Sequence, residues 1–305
     1  MRIETKHALW STARTHFGNW DRDRNGHLTN NEVENALKRH CLTSEEKAAL
    51  ETFRGRQTQL EKAHNDECLD ERRGATLNDI DTFQRSAGGA PKRLEEQFGI
   101  EKGLAQEPPP GKKRANPDRP ANLEEKIGSR DYYIERYKDF RRRNPAEMAP
   151  DYYLNYGLKY FDRFQAQKEN LQPPSQQWVD RTGVALQQKM EQRNNGADFA
   201  HLERADARFK RFAYDTHPPA YLESGLQKLP LVDRVKIGLT PDPSDLFTPD
   251  GLKQVVQTGG IGQGQIILQR QRRRNTSRVV DPGGTFGVRN TDPGGNRRKS
   301  HRPRN

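Results

Sequence analysis

Apolar positions recur along this chain at helical spacing, and no run of strictly alternating polar and apolar residues interrupts them. Phe17 and Trp20 fall three apart, and Val33, Ala36 and Leu37 repeat the pattern after a polar stretch. Thr43-Ser44-Glu45-Glu46 carries a capping signature, and the apolar positions Ala48, Ala49, Leu50, Phe53 and Leu60 extend the predicted helix to about His64. Farther on, three sets recur: Leu154, Leu158, Phe161 and Phe164; Trp178, Val179, Ala185, Leu186 and Met190; Phe199, Leu202, Phe209, Phe212 and Ala213. Proline and glycine punctuate them at Gln172-Pro173-Pro174, Asn194-Asn195-Gly196 and His217-Pro218-Pro219. Thr248-Pro249 predicts one more helix start, leading to Leu252, Val255 and Val256. The pattern predicts an all-α protein.

Breaks in periodicity divide the chain into four stretches. The first, 1–86, ends at Ser86-Ala87-Gly88-Gly89-Ala90-Pro91. Residues 87–122 read as a linker rich in Pro, Gly and charge, with Pro108-Pro109-Pro110-Gly111 at its centre and room for a short helix over Lys92 to Leu104, where Leu94, Phe98 and Leu104 could dock. A flexible chain of that length spans roughly 35 Å and transmits little strain, so two independent thermal transitions are expected. Residues 123–260 form a helical region that holds seven of the nine tyrosines in its first part, which marks a core. Residues 261–305 read as a disordered tail, containing Asp281-Pro282-Gly283-Gly284 and its repeat at Asp292 to Gly295.

Composition sharpens this division. Only 31% of the residues are hydrophobic and the mean hydropathy is -1.15, so much of the chain is expected to stay outside a core. From Gln269 onward eleven basic residues face only Asp281 and Asp292; eleven minus two is nine of the whole-chain +11. Such a tail can attract a polyanion, nucleic acid or an anionic surface, in a salt-sensitive and sequence-blind way, because Phe286 is its only aromatic residue. No stretch has the ~18 apolar residues of a membrane span, and Met1-Arg2-Ile3-Glu4 opens no signal peptide. The expectation is a soluble, cytoplasmic protein, with non-classical export left open. Cys41 and Cys68 are too few for a disulfide scaffold and lack metal-ligand spacing.

Candidate chemistry concentrates in Asp21-Arg22-Asp23-Arg24-Asn25-Gly26-His27-Leu28-Thr29-Asn30-Asn31-Glu32. A calcium loop of about twelve residues takes side-chain oxygens at positions 1, 3 and 5, a backbone carbonyl at 7, a group often acting through water at 9, and a bidentate carboxylate at 12. Those positions here are Asp21, Asp23, Asn25, His27, Thr29 and Glu32, with Gly26 at the sharp turn. Thr29 and Glu32 also form a Thr-x-x-Glu capping box, so the second helix starts inside the loop. Helix, loop and helix together resemble the EF-hand family over about residues 6–86. The resemblance implies Ca2+ as the bound ion and a second hand whose loop makes a short β contact with the first.

A shift of 47 residues finds that second copy in degenerate form. It sets Thr76-Leu77-Asn78-Asp79-Ile80 on Thr29-Asn30-Asn31-Glu32-Val33, and Cys68, Asp70, Arg72, Arg73 and Gly74 on Asp21, Asp23, Asn25, Gly26 and His27. A guanidinium at a ligand position repels the ion, so one calcium per chain is expected.

Outside this region the residues offer little chemistry. Asp215-Thr216-His217-Pro218-Pro219-Ala220-Tyr221 brings a carboxylate, a hydroxyl, an imidazole and a phenol into one segment. No nucleophile elbow, phosphate loop or zinc-protease motif occurs, and the glycine-rich Gly259 to Gly264 comes after a predicted helix rather than a strand. Two function classes stay open. The first is a calcium-ion-binding protein with one functional hand joined to a helical interaction domain. The alternative is a calcium-stabilised enzyme or effector with its site near Asp215 and His217.

Overall fold

The computed structural model describes residues 7–63, 74–86, 89–108, 116–194 and 196–242. The region expected to start a helix at Thr248-Pro249, the basic tail and Cys68 lie outside the described residues, and Cys41 is an exposed free thiol.

Among the described residues the protein is all-α. Helix α1 (Ala8–Trp20) buries Leu9, Trp10, Ala13, Phe17 and Trp20 along one face. Helices α2 (Asn30–Leu37), α3 (Ser44–Phe53) and α5 (Leu77–Arg85) all start the same way, with Thr29, Thr43 and Thr76 accepting the amide of the third helical residue while Glu32, Glu46 and Asp79 accept the cap's own amide. Each such cap is worth about 1 kcal/mol. With the short α4 (Gln57–Glu61) they enclose a first core in which Trp20 meets Phe53 edge-on at 6.4 Å and Trp10 lies 6.0 Å from Phe83.

The expected linker is in large part a helix. Helix α6 (Ala90–Gln106) places Pro91 in its first turn, where a missing N–H costs nothing, and it is longer than the Lys92 to Leu104 segment. Leu94 and Phe98 are buried in the first core, whereas Ile100 and Leu104 pack against the second. The proline-rich composition that suggested a spacer is confined to the stretch after this helix.

The second core is built from α7 (Asp131–Arg143), a π-helical segment Tyr153–Leu158 running into α8 (Lys159–Gln167), α9 (Pro173–Arg193), α10 (Ala197–Glu203) and α11 (Asp206–Asp215). Tyr132, Tyr133, Tyr152 and Tyr153 meet one another and Phe209 mostly edge-on. A smaller cluster of Leu171, Trp178, Val179, Leu226, Leu229 and Ile237 lies under α12 (His217–Glu223) and α13 (Leu231–Leu239).

Helix α7 carries three buried arginine–glutamate pairs, each completed by a tyrosine hydroxyl. Arg136 and Tyr132 hold Glu191 of α9; Arg141 and Tyr137 hold Glu101 of α6; Arg143 and Tyr153 hold Glu203 of α10, at 2.7 and 2.5 Å. One helix thereby fixes the positions of three others. All described residues fall within one compact unit, 1–261.

Candidate metal centre

The loop begins where α1 stops. The Asp21 amide donates to the Phe17 carbonyl at 2.8 Å, and buried Trp20 anchors the preceding turn. Arg24 (φ 58°) and Gly26 (φ 83°) then take left-handed conformations. This reversal folds the side chains of positions 1, 3 and 5 inward. Asp21 Oδ2 accepts the Gly26 amide at 2.9 Å, Asp21 Oδ1 and Asp23 Oδ1 accept the Asn25 amide at 3.2 and 3.1 Å, and Asn25 Oδ1 accepts the His27 amide at 2.7 Å.

At the far end Glu32 turns back over the loop. Its Oε1 accepts the Arg22 amide at 2.8 Å, while its Oε2 accepts the Thr29 amide and hydroxyl at 2.9 and 2.8 Å. Burial acts to raise the Glu32 pKa, but the hydrogen bonds from Thr29 and from the Arg22 and Asp23 amides outweigh it and hold the carboxyl below its ordinary range. Carboxylate oxygens of Asp21, Asp23 and Glu32 all lie within 4.8 Å of one another. Among the described residues no Lys or Arg forms an ion pair with any of the three.

The remaining predicted ligand residues are distributed unevenly. Asn25 joins the cluster through Asp23, donating from Nδ2 to Oδ2 at 2.9 Å. Thr29 is engaged by the helix cap. The His27 ring has its Nδ1 3.4 Å from the Gly74 carbonyl of the neighbouring loop.

That neighbouring loop is placed by the 47-residue shift. Leu28 and Ala75 exchange both backbone hydrogen bonds, at 2.8 and 3.0 Å, in an isolated antiparallel bridge. Gly74 has φ 107°, and a Cβ there would lie 2.6 Å from the Leu28 carbonyl oxygen, so the two loops approach as closely as they do only with glycine at this position. Cys68, Asp70, Arg72 and Arg73 lie outside the described residues.

The donors that converge are hard oxygens of three carboxylates, with the Asn25 amide beside them, in a loop with a glycine turn. This set fits a hard divalent cation of the calcium or magnesium type and suits soft or nitrogen-preferring metals poorly.

The second sequence candidate does not assemble. Asp215 is exposed at the end of α11, whereas His217 is buried in α12 among Tyr152, Tyr156, Tyr214 and Tyr221. Tyr152 Oη lies 3.3 Å from its Nε2, and burial pulls the imidazole pKa down to about 4, so the ring is neutral at pH 7. His217 borders a narrow cavity walled by Tyr156, Tyr160, Trp178 and Tyr221, and among the described residues no carboxylate lines it.

No family-wide sequence profile matches the chain, and neither does any curated protein or solved structure.

Proposed function

We propose that the protein binds one calcium ion in the Asp21–Glu32 loop, as an EF-hand whose partner loop serves structurally. The observation that carries this reading is the convergence of the Asp21, Asp23 and Glu32 carboxylates, which no cationic side chain among the described residues pairs with, in a loop tied to its 47-residue copy by the Leu28–Ala75 bridge. Like charges held this close repel one another, and a divalent cation relieves the repulsion. Asp21, Asp23, Asn25 and Glu32 would supply side-chain oxygens and His27 its backbone carbonyl. Arg22 and Arg24 beside them weaken the local field, which places the affinity at about 10⁻⁶ to 10⁻⁴ M. Calorimetric titration of the full chain tests this: one calcium per chain is expected for the wild type and loss of the isotherm for Glu32→Gln, while two ions, or no heat at millimolar calcium, would overturn the reading.

The tyrosine-rich half is the interaction region of this proposal. Calcium bound at the first loop reaches it through α6, which belongs to both cores. The basic tail supports a separate reading as a polyanion-binding segment, tested by heparin titration with and without residues 261–305. With Asp215 and His217 facing different surroundings, the enzyme reading is not advanced.

A further inference from the structure

Where the two halves meet, a cavity of about 240 Å³ opens with a mostly polar wall. Four cationic side chains line it from four elements: Arg56 at the start of α4, Arg93 of α6, Lys159 of α8 and Lys210 of α11. Among the described residues Asp151 is the only carboxylate in that lining. It is already engaged, accepting from Arg56 Nη2 at 2.6 Å and from Asn155 Nδ2 at 2.7 Å. Lys159 pairs with Asp242 at 2.5 Å, and Arg163 holds the same carboxylate at 2.7 Å.

Arg93 and Lys210 remain. Among the described residues neither forms an ion pair, and Lys210 rests its ammonium over the Tyr214 ring at 5.8 Å. With Arg56 set against Asp151 and Lys159 against Asp242, the charges of Arg93 and Lys210 are the two left unmatched around the space. Burial, followed by the charges of Arg163 and Arg56, pulls the half-buried Arg93 guanidinium below its ordinary pKa even though Asp242 works the other way. The cluster is short of negative charge. Its volume is well above the ~10–15 Å³ that one water needs.

We propose that this cavity binds a phosphate group, free or carried on a small molecule, held chiefly by Arg93 and Lys210. Two unmatched positive charges, a guanidinium and an ammonium, suit a dianion better than a single carboxylate. A planar guanidinium grips two oxygens of such a group, and the lysine ammonium adds a point charge. Phe83, Tyr152 and Tyr156 in the same wall offer an apolar surface for an organic portion. An occupant would draw α4 and α6 toward α8 and α11, so it would stabilise the junction between the two halves. The inference is independent of calcium binding.

The test is calorimetry and thermal unfolding of the full chain at low salt with three probes: inorganic phosphate, phenyl phosphate and benzoate. One phosphate per chain should bind and raise Tm. Tighter binding of phenyl phosphate would assign an organic phosphate, and equal or weaker binding the free ion. Arg93→Gln and Lys210→Gln should each weaken phosphate at least tenfold. Arg93→Gln should also raise Tm without phosphate, because it relieves repulsion, whereas an arginine needed only for packing would lower it. A control in which Arg272, Arg273 and Arg274 of the tail are all changed to Gln should bind as the wild type. The proposal fails if the folded wild type binds no phosphate at millimolar concentration, if both pocket variants retain affinity, if the tail control loses it, or if benzoate binds as tightly as phenyl phosphate.

Discussion

Arg141 of α7 reaches Glu51 of α3, guanidinium to carboxylate at 2.7 Å, with both side chains buried. The same guanidinium pairs with Glu101 of α6 at 3.2 Å, so one arginine joins elements of both cores. Removing one partner of such a pair strands a buried charge at a cost of about 3–5 kcal/mol. The halves should therefore unfold together, not independently as a flexible linker would have them. Differential scanning calorimetry should show one transition, and calcium should raise it as a whole, by the equivalent of about 2.7 kcal/mol at a hundredfold excess over Kd. Two separable transitions, only one of them moved by calcium, would contradict this coupling.

The two groups that share the α2 cap should separate cleanly. Thr29→Ala removes a capping hydroxyl and should lower stability by about 1 kcal/mol while leaving calcium binding largely in place. Glu32→Gln should abolish measurable binding. Because the folded pKa of Glu32 is depressed, its contribution to stability is present above the unfolded value of 4.5 and lost as pH falls through the folded one. Unfolding of calcium-free protein between pH 6 and 3 should accordingly show a shallower acid loss in Glu32→Gln than in the wild type.

Gly74 and Gly26 both have positive φ, but they differ in what a methyl group would meet. At Gly26 a Cβ finds nothing within 4 Å, whereas at Gly74 it strikes the Leu28 carbonyl. Gly26→Ala should cost about 1 kcal/mol from backbone strain. Gly74→Ala should cost clearly more and weaken calcium binding as well, since it forces apart the bridge that sets the first loop. Equal losses in urea denaturation would show that the bridge contributes little.

His217 supplies a second acid-sensitive element. Its pKa falls from 6.5 in the unfolded chain to about 4 in the fold, so the folded state binds fewer protons than the unfolded state between those values. The resulting stability is complete above pH 6.5 and lost as pH drops toward 4, a change of about 3 kcal/mol. His217→Phe, which keeps a ring among Tyr152, Tyr156, Tyr214 and Tyr221, should flatten the stability profile in that window. An unchanged profile, measured by urea denaturation at each pH, would place the acid sensitivity elsewhere.

Local signals in the sequence were sufficient for local structure. The threonines at 29, 43 and 76 start helices because each has a carboxylate three residues later, within reach of its own amide. The 47-residue shift located the loop contact because a repeated cap repeats the geometry before it. Long-range partners left no such trace. Glu191, Glu101 and Glu203 stand 55, 40 and 60 residues from the arginines of α7 that they pair with, so Arg141-Arg142-Arg143 gives no hint that its first and last members are buried. Helix α6 was obscured by the prolines that come after it. His217 and Asp215 are near neighbours in sequence, yet the break between α11 and α12 turns one inward and leaves the other in solvent. The basic cavity draws one cation from each of four elements, and only the assembled fold brings them together.

During synthesis, residues 7–86 are made before α6, and until Leu94 and Phe98 arrive the face of α3 that they cover stays bare. The first core thus closes only with the helix that joins it to the second. The helix that closes it then offers Ile100 and Leu104 as the first docking surface for α7 and the helices after it. Order of translation and order of packing coincide along one helix, so a nascent chain halted before Leu94 would carry an unfinished N-terminal half, and such a fragment would be exposed to proteases and chaperones.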